Sequence, residues 1–158
     1  MFKISERLFI GSESECFEDK YGWAVVHACK SPCHQRAVGY QGSLNKDHPN
    51  YLSLEKGNNL FLNMIDPPQP LFMMPLFTEF LKYSMKHWKS NKNIFIHCNK
   101  GESRAPSLAL LFLAKEIKSI RSVSYDQARE DFIKIFPAYI PGIGIQIYLR
   151  NNWEKIII

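Results

Sequence analysis

Cys98 and Arg104 are the residues whose types and spacing indicate chemistry most directly, because only five residues separate a nucleophile from a cation. A loop of this length can turn successive backbone N–H groups inward and form a concave site for a tetrahedral anion. The guanidinium group can hold two oxygens of that anion, and the same positive potential favours the thiolate form of the cysteine. The spacing therefore predicts a loop that binds phosphate and presents a sulfur nucleophile to phosphorus. The predicted phosphate-binding residues are Asn99, Lys100, Gly101, Glu102, Ser103 and Arg104.

A buried strand before Cys98 and a helix after it are predicted to position this loop. The strand covers residues 93–97, which are mostly apolar. The helix begins near Arg104 and directs the positive end of its dipole at the bound anion. Gly101 permits the backbone angles of a tight loop. His97, at the end of the strand, is predicted to support the loop by a local hydrogen bond that favours the thiolate.

The run His97-Cys98-Asn99-Lys100-Gly101-Glu102-Ser103-Arg104 resembles the signature loop of the cysteine-dependent protein tyrosine phosphatases, His-Cys-x-x-Gly-x-x-Arg. It is most similar to the dual-specificity branch, because the chain is short and Ser103 precedes the arginine. Residues 4–12 resemble the opening strand of that branch. Residues 124–143 resemble its last two helices and the proline turn between them. The similarity is weakest over residues 30–58.

This resemblance implies a cysteine-dependent phosphatase that hydrolyses phosphotyrosine, and phosphoserine or phosphothreonine, through a cysteinyl-phosphate intermediate. It implies a phosphorylated protein or another phosphomonoester as substrate, a phosphate or sulfate ion in the loop, and no metal or organic cofactor. Three alternatives stay open. They are a phosphate-binding pseudophosphatase or adaptor, a phosphatase of phosphoinositides or RNA 5′ ends, and a rhodanese-like sulfurtransferase, which also uses a Cys-x5-Arg loop. Nucleic acid is the least expected partner.

Asp66 is the predicted general acid that protonates the leaving oxygen. It follows the predicted strand 59–64, and sites in open parallel sheets gather at the carboxyl ends of the strands. Cys98 follows it by 32 residues, which resembles the usual separation of acid and nucleophile in dual-specificity phosphatases. Pro67 and Pro68 stiffen the segment that comes next. The alternative interpretation is an ordinary turn aspartate before proline.

Ala105 departs from the resembled family, which usually has serine or threonine directly after the arginine. In that family the hydroxyl helps the sulfur to leave when the phosphoenzyme is hydrolysed. Its absence predicts slow turnover, whereas phosphate binding and the first chemical step are expected to remain. Ser107 follows two residues later, on a different face of the predicted helix.

Five residues invite a zinc hypothesis, namely His27, Cys29, Cys33, His34 and His48. Their spacing matches no common structural zinc pattern, and no set of four ligands is apparent. The sequence therefore predicts no metal site, with the first two residues at the end of a buried strand. The polar loop 30–56 contains the other three. It either borders the active site and selects the substrate or is a variable surface loop.

Length and composition are typical of one globular domain. With 158 residues, of which 46% are apolar, the chain can bury a sizeable core, so residues 1–158 are predicted to form a single catalytic domain. Four cysteines do not make a disulfide framework, and no long apolar run opens the chain, which predicts a reduced, cytoplasmic setting. The longest apolar run, residues 105–114, is too short to span a membrane. A net charge of +5 favours anionic partners.

Alternating strand and helix patterns predict an α/β fold with a central, mostly parallel sheet of four or five strands flanked by helices. Short buried strands are predicted at residues 8–11, 24–28, 59–64 and 93–97. Helices are predicted around residues 76–88, at 108–114, from Ser124 onward and at 143–153.

Overall fold

The computed structural model describes residues 1–158 and contains one six-stranded sheet in the order β1-β2-β6-β3-β5-β4. The strands are β1 Phe2–Ser5, β2 Leu8–Ser12, β3 Trp23–His27, β4 Ser53–Lys56, β5 Asn59–Leu62 and β6 Asn93–Cys98. The helices are α1 Gln35–Val38, α2 Met74–Lys89, α3 Arg104–Phe112, α4 Tyr125–Ile135 and α5 Ile143–Asn152. Shorter helical turns are Glu13–Glu15, Lys30–His34, Leu113–Ile117 and Trp153–Lys155. None of the helices combines the length and apolar composition that crossing a membrane requires.

The four central strands β2, β6, β3 and β5 run parallel, and β1 and β4 are antiparallel strands at the two edges. The predicted α/β class and the mostly parallel sheet are confirmed, but the predicted four or five strands are six. Both missed strands have four residues and lie at edges, where few side chains are buried. When neither face of a strand is buried, the alternation of apolar and polar residues that identifies a strand is weak. The strand β4 lies inside the stretch 30–56, which the sequence predicted to be a polar loop.

The main core lies on the face of the sheet that carries α2 to α5. Ile94 and Ile96 of β6 point to this face and are fully buried. Every residue of α3 is buried, because this helix packs between the central strands and the helices α2 and α4. Phe77 of α2 stacks on Tyr148 of α5 with ring centroids 5.0 Å apart. This packing fixes the N-terminus of α3, and with it the loop that precedes Arg104.

The opposite face of the sheet is covered by the β2–β3 and β3–β4 connections instead of a long helix. Phe17 from the first connection stacks on Phe95 of β6, with ring centroids 5.3 Å apart. Cys29 and Cys33 from the second connection bury themselves against Phe61 of β5. This second cluster contains three fully buried apolar residues, whereas the main core contains 35, so the cover is thin.

Candidate active site

Cys98 is the last residue of β6, and its side chain is buried below the 98–104 loop with 2% of its surface exposed. The backbone N–H of Gly101 donates to its sulfur at 3.3 Å. The sulfur therefore lies inside the turn, where one backbone amide of the loop donates to it.

Gly101 meets two demands that exclude a side chain. Its φ of +76° lies in the left-handed region, which β-carbons disfavour. A Cβ atom at this position would also lie 2.9 Å from the carbonyl oxygen of Gly11, at the end of β2. The loop can therefore close over the sulfur only because residue 101 is a glycine.

The guanidinium group of Arg104 is fixed at the carboxyl ends of two neighbouring strands. Its Nη1 donates to the carbonyl oxygens of Ala28, just beyond β3, at 3.1 Å and of Met64, just beyond β5, at 2.8 Å. Its Nη2 donates to Oδ1 of Asn99 at 2.5 Å, and its Nε is buried without a partner. A buried cation with a free N–H and a fixed plane is a ready ligand for an anion in the loop.

The 98–104 loop keeps backbone donors free and anchors its backbone and side-chain oxygens elsewhere. The N–H groups of Lys100, Glu102 and Ser103 donate to no protein acceptor. The carbonyl oxygen of Glu102 accepts from the N–H of Ile140 at 2.9 Å, and Oγ of Ser103 accepts from the N–H of Gly142 at 2.8 Å. Free amides next to a helix N-terminus can bind an anion, so binding of phosphate by this loop stays a prediction. The side chains of Lys100 and Glu102 are exposed at its rim.

Asp66 lies at the same edge of the sheet, two residues beyond the Met64 carbonyl that binds Arg104. Its exposed carboxylate abuts Gly142, where any Cβ atom would collide with it. Because the N–H of Gly142 binds Ser103, the acid and the loop are joined through one residue. Asp66 is thus brought next to the loop, and its role as an acid stays a prediction.

The N-terminus of α5 holds the segment that follows Asp66. A Cβ atom on Gly144 would collide with the carbonyl oxygens of Pro67 and Gln69. Only glycine allows the helix to approach this backbone so closely. The position of the carboxylate of Asp66 therefore depends on α5, near the end of the chain. The sequence predicted this helix but not its contact with the segment after Asp66.

Asn99 is the centre of a brace that sequence reasoning missed. Its Oδ1 accepts from Arg104, and its Nδ2 donates to Oε2 of Glu13 at 2.7 Å and to the carbonyl oxygen of Ser31 at 3.0 Å. The N–H of Glu13 also donates to the carbonyl oxygen of Asn99 at 3.2 Å. The two connections that cover the opposite face of the sheet are thereby tied to the arginine. No spacing in the sequence marks Glu13 for this task.

His97 does not bond to the loop. Adjacent residues of a strand face opposite sides, so its ring points away from Cys98. Its Nε2 lies 2.7 Å from Nδ1 of His27, and its Nδ1 is buried without a partner. Cys16 and Cys33 complete a compact group of four side chains here. The predicted hydrogen bond to the loop is absent, and any support that His97 gives passes through β6.

The hydroxyl missing at Ala105 is not replaced by Ser107. The methyl group of Ala105 is fully buried, and Oγ of Ser107 pairs with the hydroxyl of Tyr139 at 2.7 Å. Burial raises the pKa of Tyr139 well above its usual value, so this hydroxyl stays protonated. Ser107 is therefore engaged beneath the loop.

Two members of the zinc hypothesis have other partners or lie elsewhere. His34 bonds to the hydroxyl of Tyr40 at 2.7 Å and to the carbonyl oxygen of Asn50 at 2.9 Å, which uses both ring nitrogens. Burial lowers the pKa of His34, which favours its neutral form. Nδ1 of His48 accepts from the N–H of Asn50 at 3.0 Å. Neither joins the group formed by His27, Cys33, His97 and Cys16.

No family model matches the chain, and none of the curated proteins matches it either. Solved structures match it over almost its whole length. The crystal structure of DUSP15 superposes with a TM-score of 0.66 at 15% identity, over 97% of this chain and 86% of that chain. The human tyrosine phosphatase-like serine/threonine/tyrosine-interacting protein gives 0.66 at 16%, over 98% and 95%. The PTP-2 phosphatase of Cydia pomonella gives 0.63 at 19%, over 96% and 88%.

At these identities the likeness is one of fold. The chain has the fold of the dual-specificity phosphatases, and the resemblance predicted from the loop is confirmed at that level.

Arg104→Lys is expected to weaken the binding of tungstate, a phosphate mimic, by roughly 10- to 100-fold, because an ammonium group has three donors and bonds to Asn99, Ala28 and Met64 would leave none for the anion. Isothermal titration of the purified protein would measure this. Lys100→Met removes a charge from the exposed rim and is the matched control, with a smaller loss expected. A loss in Lys100→Met together with wild-type binding in Arg104→Lys, which keeps the charge, would mean that net charge, and not the fixed guanidinium, binds the anion.

Proposed function

We propose that this protein is a cysteine-dependent phosphatase that hydrolyses phosphate monoesters, with phosphotyrosine and phosphoserine or phosphothreonine in proteins as the substrate class. One observation carries the proposal. The sulfur of Cys98 lies under a backbone N–H of its own loop, and Arg104 is clamped across the ends of β3 and β5 beside it. This arrangement binds a tetrahedral dianion and directs a nucleophile at its centre.

In the first step the thiolate of Cys98 attacks phosphorus and the bond from phosphorus to the leaving oxygen breaks. Arg104 and the free loop amides bind the three equatorial oxygens, on which the transition-state charge is spread. Asp66 gives its proton to the leaving oxygen, so that an alcohol or phenol departs. The exposed position of Asp66 beside the loop suits a group that must meet substrate from solvent.

In the second step water attacks the cysteinyl phosphate, Asp66 accepts a proton from the water, and the sulfur leaves as the thiolate. The departing sulfur has the N–H of Gly101 as a donor at 3.3 Å. It has no hydroxyl from residue 105, and Ser107 is paired with Tyr139. We expect this step to limit the rate.

A phosphate-binding protein without turnover is the second candidate, and Ala105 is the observation that favours it. Such a protein would bind phosphorylated partners through the same loop and release them unchanged. Phosphoinositides and RNA 5′ ends also remain as substrate classes, which hydrolysis profiles across the classes would distinguish.

Cys98→Ser is expected to abolish hydrolysis of p-nitrophenyl phosphate while tungstate binding stays within a few fold, because Arg104 and the loop amides remain. Steady-state kinetics and calorimetry measure the two effects separately. Cys29→Ala is the matched control, since Cys29 is a buried cysteine outside the loop. Near-wild-type hydrolysis by Cys98→Ser would refute the mechanism.

Asp66→Asn is expected to slow phosphotyrosine hydrolysis by roughly 10²- to 10⁴-fold and to affect an activated aryl phosphate far less, since only a poor leaving group needs a proton. The ratio of kcat/KM values for the two substrates is the readout. Asp47→Asn and Glu55→Gln are the controls, as these carboxylates are the next candidates for the acid. Equal loss on both substrates would move the acid away from Asp66.

With an activated aryl phosphate, the wild-type protein is expected to release a burst of product before a slower steady rate. Ala105→Ser is expected to raise the steady-state rate and to shrink this burst. The reason is that a hydroxyl beside the sulfur speeds hydrolysis of the phosphoenzyme. Rapid-mixing kinetics measure burst and steady rate together. A wild-type protein that shows a burst and no later turnover would favour the phosphate-binding candidate. A wild type without a burst, and unchanged by Ala105→Ser, would show that another group already assists the sulfur.

A further inference from the structure

Four side chains that coordinate soft metals converge on the thinly covered face of the sheet. They are Cys16, His27, Cys33 and His97, and their donor atoms all lie within 4.8 Å of one another. Cys16 Sγ is 3.5 Å from His27 Nδ1, His27 Nδ1 is 2.7 Å from His97 Nε2, and Cys33 Sγ is 3.9 Å from His97 Nε2. Two thiols and two imidazoles are the donor set of many structural zinc sites.

We propose that these four residues form a structural zinc site, in which Cys16 Sγ, His27 Nδ1, Cys33 Sγ and His97 Nε2 are the ligands. The site is separate from the phosphatase chemistry, because its donors lie on the face of β6 opposite to Cys98. It reverses the prediction from sequence that the chain holds no metal.

The strands explain why two of the ligands meet. His27 and His97 are register partners on the adjacent parallel strands β3 and β6, so their rings leave the sheet on the same side. Cys16 and Cys33 come from the two connections that cross this face. The four ligands thus belong to four separate elements, which is why no short spacing motif announces the site.

The four donor atoms lie within 4.8 Å of one another and would have to shift to surround a tetrahedral ion. Zinc–nitrogen bonds of about 2.0 Å and zinc–sulfur bonds of about 2.3 Å place tetrahedral nitrogens about 3.3 Å apart and a sulfur and a nitrogen about 3.5 Å apart. The pair Cys16 and His27 already has that spacing, at 3.5 Å. The two imidazole nitrogens, at 2.7 Å, need to separate by about 0.6 Å to admit the ion.

The tautomer of His27 is set for a metal by a second hydrogen bond. Nε2 of His27 lies 3.0 Å from Oδ1 of Asn59, and Nδ2 of the same amide donates to the carbonyl oxygen of Glu18 at 3.0 Å. Since the amide nitrogen donates to Glu18, the oxygen faces the imidazole and accepts a hydrogen bond from the Nε2–H group. Nδ1 of a neutral His27 therefore keeps its lone pair, as the second shell of zinc-binding histidines typically arranges.

Charge and access also suit the ion. Binding releases one proton from each thiol, so two thiolates neutralise Zn²⁺ and the buried site carries no net charge. An open cleft lined by Cys16, Cys33, Arg36 and Asn99 reaches the two sulfurs from solvent. The ion would join two covering connections to two central strands, which compensates for the few apolar contacts on this face.

The site also reaches the phosphate loop indirectly. Glu13 and Ser31 lie a few residues from Cys16 and Cys33, and both bind the side chain of Asn99. Asn99 in turn binds Arg104. An ion that fixes the two connections therefore fixes the brace on the arginine.

The experiment is titration of reduced Cys98→Ser protein with cobalt(II) and then zinc, which excludes the sulfur of the active site as a ligand. We expect one equivalent of cobalt, with the ligand-field bands of a tetrahedral ion and a thiolate charge-transfer band, displaced by one equivalent of zinc. Zinc is also expected to raise the melting temperature. Failure to bind either metal stoichiometrically would overturn the proposal and leave the phosphatase assignment untouched.

Variants locate the ion. Cys16→Ser and Cys33→Ser are expected to lose the stoichiometric cobalt spectrum, whereas Cys29→Ser, the matched control from the same buried cluster, keeps it. Asn59→Ala keeps all four ligands and is expected to bind zinc roughly 10- to 100-fold more weakly, which separates ligand loss from unfolding. Cobalt spectra unchanged in Cys16→Ser and Cys33→Ser would refute the site. The site would also be refuted if Cys16 and Cys33 formed a disulfide that resists the reductant and leaves the protein without bound zinc.

Discussion

The hydrogen bonds of the Arg104 guanidinium join the parts of the molecule on which the candidate site depends. One nitrogen donates to the carbonyl oxygens of Ala28 and Met64, which lie just beyond β3 and β5. Another nitrogen donates to the side chain of Asn99. These carbonyls are available only because parallel strands end at the same edge, and the arginine is present there only because α3 begins at it. Sheet topology and helix placement therefore position one buried cation, on which the anion chemistry depends. Since its Nε has no protein partner, an anion would complete its set of acceptors.

The alternation of side chains along β6 assigns two kinds of chemistry to two faces. Cys98 points into the layer of α2 to α5, where 35 buried residues form the main core, and His97 points to the cover, where three do. A cover with so little apolar burial needs polar or coordinate bonds to stay ordered. The cluster of two cysteines and two histidines supplies donors for such bonds, at the point where both covering connections cross the sheet.

Much of the fold and the centre of the site could be predicted because the signals are local. The four central strands have continuous apolar runs. Apolar residues three and four positions apart from Leu76 to Trp88 predict α2. The helix predicted from Ser124 onward begins there, because the side chain of Ser124 accepts a hydrogen bond from the N–H of Gln127. Cys98, Gly101 and Arg104 lie in one short run. What was missed depends on contacts between distant segments: the edge strands β1 and β4, the brace of Glu13 on Asn99, and the ring of His97, which turned to His27. The spacing of residues along the chain does not predict such contacts between distant segments.

The contact between Gly144 and the backbone after Asp66 couples the far end of the chain to the position of that carboxylate. Because α5 rests directly on the carbonyl oxygens of Pro67 and Gln69, and the N–H of Gly142 at its start binds Ser103, a shift of that helix is transmitted both to the carboxylate of Asp66 and to the 98–104 loop. Repacking α5 around Tyr148 would therefore move Asp66 and the 98–104 loop together. Under the proposed mechanism, preference among leaving groups and recognition of phosphate are therefore coupled through the start of one helix.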